Sequence, residues 1–528
     1  MPPSSTEPGS ELGFPDRTFH TELLPCEAHS SLTFEEAGPS RYSAGTEPFT
    51  HAKPVISSAV TRQSLNMAAA HLRSGHLVSF PSETVYGLGA NALSQSAASK
   101  IYAAKKRPAD NPLIVHVSDL QMLDTLLPQD YKMSAAYEEL VKAFWPGALT
   151  LLFPVDAEKP AVPSVVTCGH PSVAVRMPSH PIARALIATS GLPMAGPSAN
   201  ASGRPSPTTA DHVMRDLGGY LDAESTSGTT ENGEPKGRLE YILDGGACQV
   251  GVESTVVDGI TAEDEVRVLR PGGVTVEQIA AVLKDAGLAD KVKLRVYGKD
   301  MERSAEQESN PTTPGMKYRH YSPTARVVML LPAKLFAAAV QTSATQSHSE
   351  HPQSSSAKVV ESLTSSTASP TTNTTTPQTF SNVVRDQIAH HLPHRSTVDS
   401  TLHIGLMMSF DSDLSRLITT SSSTTRATAS SHQNNHPHLL TPLTLSGLSN
   451  VLIHPFDLGP SSQAEIYAQR LFDGLRTLDE GPLLHNGDGE AAKKCELIFV
   501  EALDDAGVGL AVMNRLKKAA SETVVLDC

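Results

Sequence analysis

Short apolar runs and amphipathic stretches take turns over residues 54–290, which leaves few folds open. Leu65, Ala68, Ala69 and Leu72 fall at i, i+3, i+4 and i+7, the stripe of one helix face. Gly75 is placed to end that helix. The run from Leu77 to Phe80 then predicts a strand, with Pro81-Ser82-Glu83-Thr84 as its exit. Helices are expected from Ser94 to Lys106, Pro181 to Thr189, Thr209 to Leu217 and Val276 to Ala286. Strands are expected from Leu113 to Val117, Leu149 to Phe153, Val173 to Met177, Tyr241 to Leu243 and Ser254 to Val257. Strands and helices interleaved in this way predict an α/β domain.

The alternation resumes over 326–528. Strands are expected from Arg326 to Leu331, His403 to Met408, Asn450 to Ile453 and Glu496 to Glu501, with helices from Gln463 to Leu478 and Val508 to Ala519. A chain of 528 residues exceeds one ordinary domain. The expected plan is an α/β domain over 54–290, a linker over 291–325 and a second, smaller α/β domain over 326–528. Two low-complexity stretches, 341–380 and 419–440, interrupt the second domain. About half of the first is Ser or Thr, too polar to offset the entropy of ordering, so surface loops or tethers are expected. Residues 223–238 look like a polar loop inserted before the Tyr241 strand. Residues 1–53, rich in Pro, Ser, Glu and Gly, are expected to be a disordered extension.

Charge and cysteine usage remove several function classes. The formal net charge is −14, against a general binder of DNA or membrane surfaces, which draws its affinity from Lys and Arg. No apolar run approaches the roughly 18 residues of a spanning helix, so no membrane association is expected. The 5 cysteines stand far apart with no CxxC pair, against a disulfide framework or structural zinc and in favour of a reducing compartment. Glu7, Glu11, Asp16 and Glu22 speak against a mitochondrial presequence.

Five clusters carry the chemistry. In SFPSETVYGLGAN, Ser82 and Thr84 sit at a strand exit, where hydroxyls and backbone N–H groups can hold a small polar ligand. In KIYAAKKRPADNPLIVHV, Lys105, Lys106 and Arg107 close a helix, Asn111 follows in a loop and His116 lies inside a strand. Arg176, on the short apolar strand of SVAVRMP beside Ser172, needs an anion if buried, whether a protein carboxylate or a substrate carboxylate or phosphate. MAGPSANASGRPSPTTADH supplies Ser198, Asn200, Ser202 and Ser206 before a helix whose start can carry a phosphate. GVESTVVD and VLRPGGVT place Ser254 and Thr255 at a strand start and Arg270 at a strand end. No Walker loop, no Cys–His pair and no Ser–His–Asp spacing is present, and GVGLAV near Gly507 is a lone Gly-x-Gly. Together the clusters predict a cavity lined by Lys105, Arg107, Arg176 and Arg270, rich in hydroxyls and poor in carboxylates. Such a lining suits a nucleoside triphosphate and a small amino acid.

The ordered series FPSETVYGLGANA, KIYAAKKRPADNPLIVHV, FWPGALTLLF, SVAVRMPSHP, GPSANASGRPSPT, GVESTVVD and LRPGGVT resembles the YrdC-like family. PGMKYRHYSP and the ending GVGLAVMNRLKKAAS resemble its longer, two-domain branch, the L-threonylcarbamoyl-AMP synthases. The resemblance implies a twisted mixed sheet around a positively charged cavity, followed by a Rossmann-like second domain. It implies synthesis of L-threonylcarbamoyl-adenylate from L-threonine, bicarbonate and ATP, with release of pyrophosphate. A TsaD-type transferase would then move the threonylcarbamoyl group to the adenosine beside the anticodon of tRNAs reading A-starting codons. By the same resemblance Arg176 holds the threonine carboxylate, and Ser82, Thr84, His116 and Ser254 contact threonine. Lys105, Arg107, Asn111, Ser172, Ser198, Asn200, Ser206, Arg270 and Tyr321 contact the nucleotide. Ser82 and Ser172 depart from the resembled motifs, which more often carry Thr. Mg²⁺ is expected on the ATP phosphates rather than in a protein cage. The linker 309–323, which holds the run Lys317, Tyr318, Arg319, His320 and Tyr321, is expected to act as a lid over the site. The enzyme is expected in the cytoplasm, with a minor mitochondrial pool left open. The alternatives are a YrdC-like module that holds tRNA or double-stranded RNA without synthesis, and a carbamoyl-adenylate former of the hydrogenase-maturation type.

Overall fold

The computed structural model describes residues 19–27, 31–36, 52–219, 237–262, 264–297, 301, 311–313, 321–338, 378–391, 401–420, 424–426, 436–481 and 494–527. Most of 341–380, most of the 223–238 loop, and Lys317 to His320 of the expected lid lie outside the described residues.

An 11-stranded sheet organises the first half of the chain. From one edge its strands run Glu22–Pro25, Tyr241–Asp244, Val78–Phe80, Gly87–Asn91, Met194–Ala195, Ile114–His116, Ser172–Arg176, Leu149–Pro154, Thr255–Asp258, Glu265–Arg270 and Lys293–Val296. Parallel and antiparallel neighbours mix: His116 pairs with Arg176 in parallel, whereas Thr150 pairs with Arg176 in antiparallel register. The sheet carries helices made by the expected periodicity. Ala59–Arg73 buries Leu65, Ala68, Ala69 and Leu72, and Ser58 caps its start by accepting from Thr61 N. Gln95–Lys105 and Pro181–Ser190 end in left-handed caps at Lys106 and Gly191. Ala135–Phe144, not anticipated from the sequence, is capped by Ser134 and buries Ala136, Tyr137, Leu140 and Val141.

Three expectations need correction. The segment taken as a disordered extension contains the strands Glu22–Pro25 and Leu32–Glu36. The first gains order by parallel pairing with Tyr241–Asp244 and by burying Leu24; the second forms a hairpin with Ala52–Ile56. Main-chain pairing supplies what a short polar run lacks in its own pattern. The expected linker begins with the edge strand Lys293–Val296, paired in parallel with Glu265–Arg270. The stretch 341–380 ends inside a helix, Phe380–His391, and 419–440 includes the end of helix Asp413–Thr420 and the strand Thr424–Arg426.

The second half is built on a 7-stranded sheet. Leu448–Asp457, Leu402–Met408, Leu497–Glu501, Arg326–Pro332 and Glu522–Leu526 lie side by side in parallel, and Leu443–Leu445 and Thr424–Arg426 extend one edge antiparallel. Helices Ala464–Glu480 and Val508–Ala519 pack together on a core of Leu471, Phe472, Leu475, Val512 and Leu516. That core also takes in Val85, Val252 and Tyr321 from the first half, so the two sheets share apolar surface.

Polar contacts fix the same junction. Arg476, 1 % exposed, donates to both oxygens of Asp216 at 3.0 and 2.8 Å. Arg515, 0 % exposed, donates through Nε to Glu253 Oε2 at 2.9 Å. A Cβ on Gly251, which holds φ +75°, would stand 2.3 Å from Gln469 Cα, so only glycine allows this approach of the two backbones.

Candidate active site

A cavity opens where the strand exits of the larger sheet meet the loops 196–206 and 253–254. Nine residues singled out from the sequence line it: Ser82, Thr84, Arg107, His116, Arg176, Ser198, Ser254, Arg270 and Tyr321. Phe80, Val85, Gly87, Ile114, Gly196, Pro197 and Glu253 complete the wall. The lining holds three guanidinium groups and one carboxylate.

Arg176 ends the central strand Ser172–Arg176 and is 3 % exposed. Its Nε donates to Gly147 O at 2.9 Å and its Nη1 to Thr84 Oγ1 at 2.9 Å. Its Nη2 lies 2.5 Å from Glu83 Oε1. The anion that a buried arginine requires is here a protein carboxylate. Sequence reasoning passed over Glu83 while naming both its neighbours, Ser82 and Thr84. Burial alone would raise the Glu83 carboxyl, yet Arg176 and the Ser179 N–H hold it below the usual carboxylate value.

The hydroxyls are tied to this pair. Ser82 Oγ lies 2.9 Å from Thr84 Oγ1 and donates to Val85 O at 2.5 Å, fixing the exit loop of strand Val78–Phe80. Thr150 Oγ1 and Ser254 Oγ are 2.7 Å apart, and Arg270 donates to Ser254 O at 2.8 Å and to Ser254 Oγ at 3.2 Å. Burial lowers Arg270 to about 10, which still leaves it charged at neutral pH. His116 packs edge-on against Phe80, with ring centroids 5.7 Å apart. Burial and the neighbouring Arg176 depress it to about 3, so it is neutral at physiological pH. A Cβ on Gly196 would come to 3.0 Å from His116 Nδ1, so glycine there leaves the ring its place.

The remaining sequence-derived residues sit behind the lining. Lys105, 2 % exposed, donates to Ser198 O and, at 2.5 Å, to Asn200 O. Burial and Arg107 push its ammonium well below its usual value. It acts as a brace for the loop that carries Ser198. Asn200 spans the same loop by donating to Ala201 O and Arg204 O at 2.8 and 2.9 Å. Arg107 donates to Asn111 O and Pro112 O, both at 3.0 Å. Asn111 thus meets Arg107 through its backbone. Ser172 is half-buried at the far end of the Arg176 strand, pairing with Pro154, and does not line the cavity.

Ser206 Oγ donates to Glu253 Oε1 at 2.6 Å, and Glu253 is held on its other oxygen by Arg515. Burial would raise Glu253, but Arg515 and Arg270 hold it at about 2. Tyr321, in the left-handed region at φ 67° and 2 % exposed, closes this side. Burial and Glu253 push its phenol up to about 12. Glu253 lies inside the GVEST motif and was missed because that motif was read for its hydroxyls. The expected scarcity of carboxylates is corrected by Glu83 and Glu253, each paired with an arginine.

These residues do not fit a metal cage. Both carboxylates are engaged by guanidinium groups, and among the described residues no three His, Cys, Asp or Glu side chains gather to hold an ion. No described helix is long and apolar enough to cross a membrane.

Comparison with known proteins agrees with this architecture. Residues 70–272 match the Sua5/YciO/YrdC family model, described as telomere recombination, and residues 274–521 match the threonylcarbamoyl-AMP synthase C-terminal domain. Threonylcarbamoyl-AMP synthase of Schizosaccharomyces pombe is 45 % identical over 302 residues, 54 % of this chain and 68 % of that protein. The Bacillus subtilis protein of the same name is 48 % identical over 263 residues, 49 % of this chain and 64 % of that protein. The crystal structure of Pyrococcus abyssi Sua5 complexed with L-threonine is 30 % identical and superposes with a TM-score of 0.56, covering 88 % of this chain and 96 % of that one. Matched in both halves and in order, the chain belongs to the two-domain Sua5-type threonylcarbamoyl-AMP synthase family.

Proposed function

We propose that the cavity makes L-threonylcarbamoyl-adenylate from L-threonine, bicarbonate and ATP, releasing pyrophosphate. The observation that carries this reading is the convergence of Arg107, Arg176 and Arg270 with the hydroxyls of Ser82, Thr84, Ser198 and Ser254 on one space. An amino acid, a carbamate and a triphosphate all bring negative charge, and this lining meets each with guanidinium forks and hydroxyl groups.

In this reading the threonine carboxylate sits at Arg176, beside Thr84 and Ser82. Neutral His116 serves as a hydrogen-bond partner for the threonine hydroxyl or amine. The amine attacks the bicarbonate carbon and a water leaves to give a carbamate, whose oxygen attacks the α-phosphorus in line as pyrophosphate leaves. No covalent nucleophile is required of the protein. Arg107, Arg270 and Ser198 neutralise and orient the phosphates, while Lys105, Asn200 and Asn111 hold the loops that present them. Mg²⁺ is carried by the ATP phosphates, as suits a pocket whose carboxylates are already paired. Tyr321, packed inside the junction, excludes water from the adenylate, a mixed anhydride open to hydrolysis.

Such a product must be consumed by an acyl transfer. We assign that step to a TsaD-type transferase acting on tRNA, in the cytoplasm. No disulfide joins the four described cysteines, Cys26, Cys168, Cys248 and Cys495, to one another, which supports a reducing compartment.

The test is pyrophosphate release by the purified full chain, with mass detection of the adenylate. Release must require both threonine and bicarbonate. Release independent of either substrate would refute the reading.

A further inference from the structure

We propose that Arg515, from the second domain, is a positioning residue for the nucleotide side of the cavity, so that the second domain completes the active site. The inference rests on the adenylate-forming reading above and adds a residue that no cavity motif contains.

Arg515 lies on helix Val508–Ala519 and is 0 % exposed. It holds two separate stretches of the first domain at once. Its Nε donates to Glu253 Oε2 at 2.9 Å, and its Nη1 donates to Pro271 O. Glu253 precedes Ser254 and Pro271 follows Arg270, so the fork clamps the two segments that deliver Ser254 and Arg270 to the cavity. The guanidinium also lies 5.9 Å from the centre of the Tyr321 ring, a third part of the wall.

Charge gives the clamp a second effect. Glu253 lines the cavity, and a bare carboxylate there would repel a triphosphate. Arg515 offsets that charge and leaves Glu253 Oε1 to accept from Ser206. Removing Arg515 would loosen its hold on both segments and leave Glu253 with Arg270 alone to offset its charge. Interface glue alone would cost stability without this electrostatic component.

Binding of ATP with Mg²⁺ to the full chain, measured by calorimetry with melting temperatures alongside, tests the proposal. Arg515→Met should weaken ATP binding by about tenfold or more. Adding Glu253→Gln to it should recover a large part of the loss, because the repelling charge is gone. Arg515→Lys keeps the charge but loses the fork, and should fall between wild type and Arg515→Met. In turnover assays the effect should appear in the ATP KM more than in the threonine KM. Wild-type ATP affinity in Arg515→Lys and a folded Arg515→Met overturns the proposal. A double variant no better than Arg515→Met overturns it too. If Arg515→Met does not fold, Arg515→Lys decides alone: weakened ATP binding supports the proposal and wild-type affinity overturns it. ATP binding is read without turnover, so a chain that binds ATP but forms no adenylate sinks the functional reading and leaves the Arg515 result standing.

Discussion

Arg176 and Glu83 form a buried ion pair at the cavity, with Nη2 and Oε1 2.5 Å apart and side chains 4 % and 7 % exposed. The guanidinium is thereby fixed in place, with Thr84 and Gly147 accepting from its other nitrogens. Arg176→Ala should raise the threonine KM on the order of a hundredfold or more while sparing ATP binding. Glu83→Gln keeps the guanidinium and should cost more stability than threonine affinity. Threonine-dependent pyrophosphate release and thermal melting separate the two effects, and an unchanged threonine KM in Arg176→Ala would refute the assignment.

Acid should loosen the domain junction before it unfolds the rest. Glu253 titrates at about 2 when folded against a usual 4.5, so its stabilising effect is full above about 4.5 and is lost as pH falls toward 2. Asp216 and Glu83 are depressed in the same direction. Melting temperature should therefore drop steeply below about pH 4.5, with a shallower slope in Glu253→Gln. Parallel slopes for the two proteins would show that Glu253 does not contribute to the acid sensitivity.

Glu501 behaves in the opposite sense. At the end of strand Leu497–Glu501, burial pushes its carboxyl up to about 7, although the Ser409 N–H donates to it at 3.0 Å. Its folded value lies above its unfolded one, so it favours folding at low pH and its contribution is lost as pH rises through 7. Glu501→Gln should raise the melting temperature at about pH 8, and the gain should vanish near pH 4. A lower melting temperature for the variant at pH 8 would count against this account.

The pair Arg476–Asp216 joins the halves of the chain where both side chains are essentially dry, at 1 % and 0 % exposure. Arg476→Ala should cost less than the roughly 3–5 kcal/mol of a fully stranded buried charge, because Arg204 keeps its Nε 3.1 Å from Asp216 Oδ1, whereas Arg476→Ala with Arg204→Met should reach that range. Denaturant unfolding of both variants measures the difference.

Residues with a repeating pattern were legible in advance. Leu65, Ala68, Ala69 and Leu72 announced their helix, and the strand of Val173, Val175 and Arg176 was evident from its apolar run. Phe380, Val383, Val384 and Gln387 have the same i, i+3, i+4, i+7 spacing and are all buried, yet the Ser/Thr-rich composition before them hid the signal. The cavity hydroxyls and arginines could be read because their types fit an anionic ligand. Glu83, Glu253 and Arg515 could not, since each matters through a partner far away in sequence. Glu83 meets Arg176 only after two strands have met, and Glu253 meets Arg515 only after the domains have docked.

The edge strand Glu22–Pro25 adds an order of events to this architecture. Its ladder partner is Tyr241–Asp244, and beside it Thr21 donates to Leu239 O across 218 positions. A ribosome makes the chain from its beginning, so this strand leaves the exit tunnel long before its partner exists. Until residues 241–244 emerge, its backbone N–H and C=O groups must stay with water or a chaperone, and the larger sheet cannot close that edge. The first segment of the sheet to be synthesised must therefore be among the last to find its place.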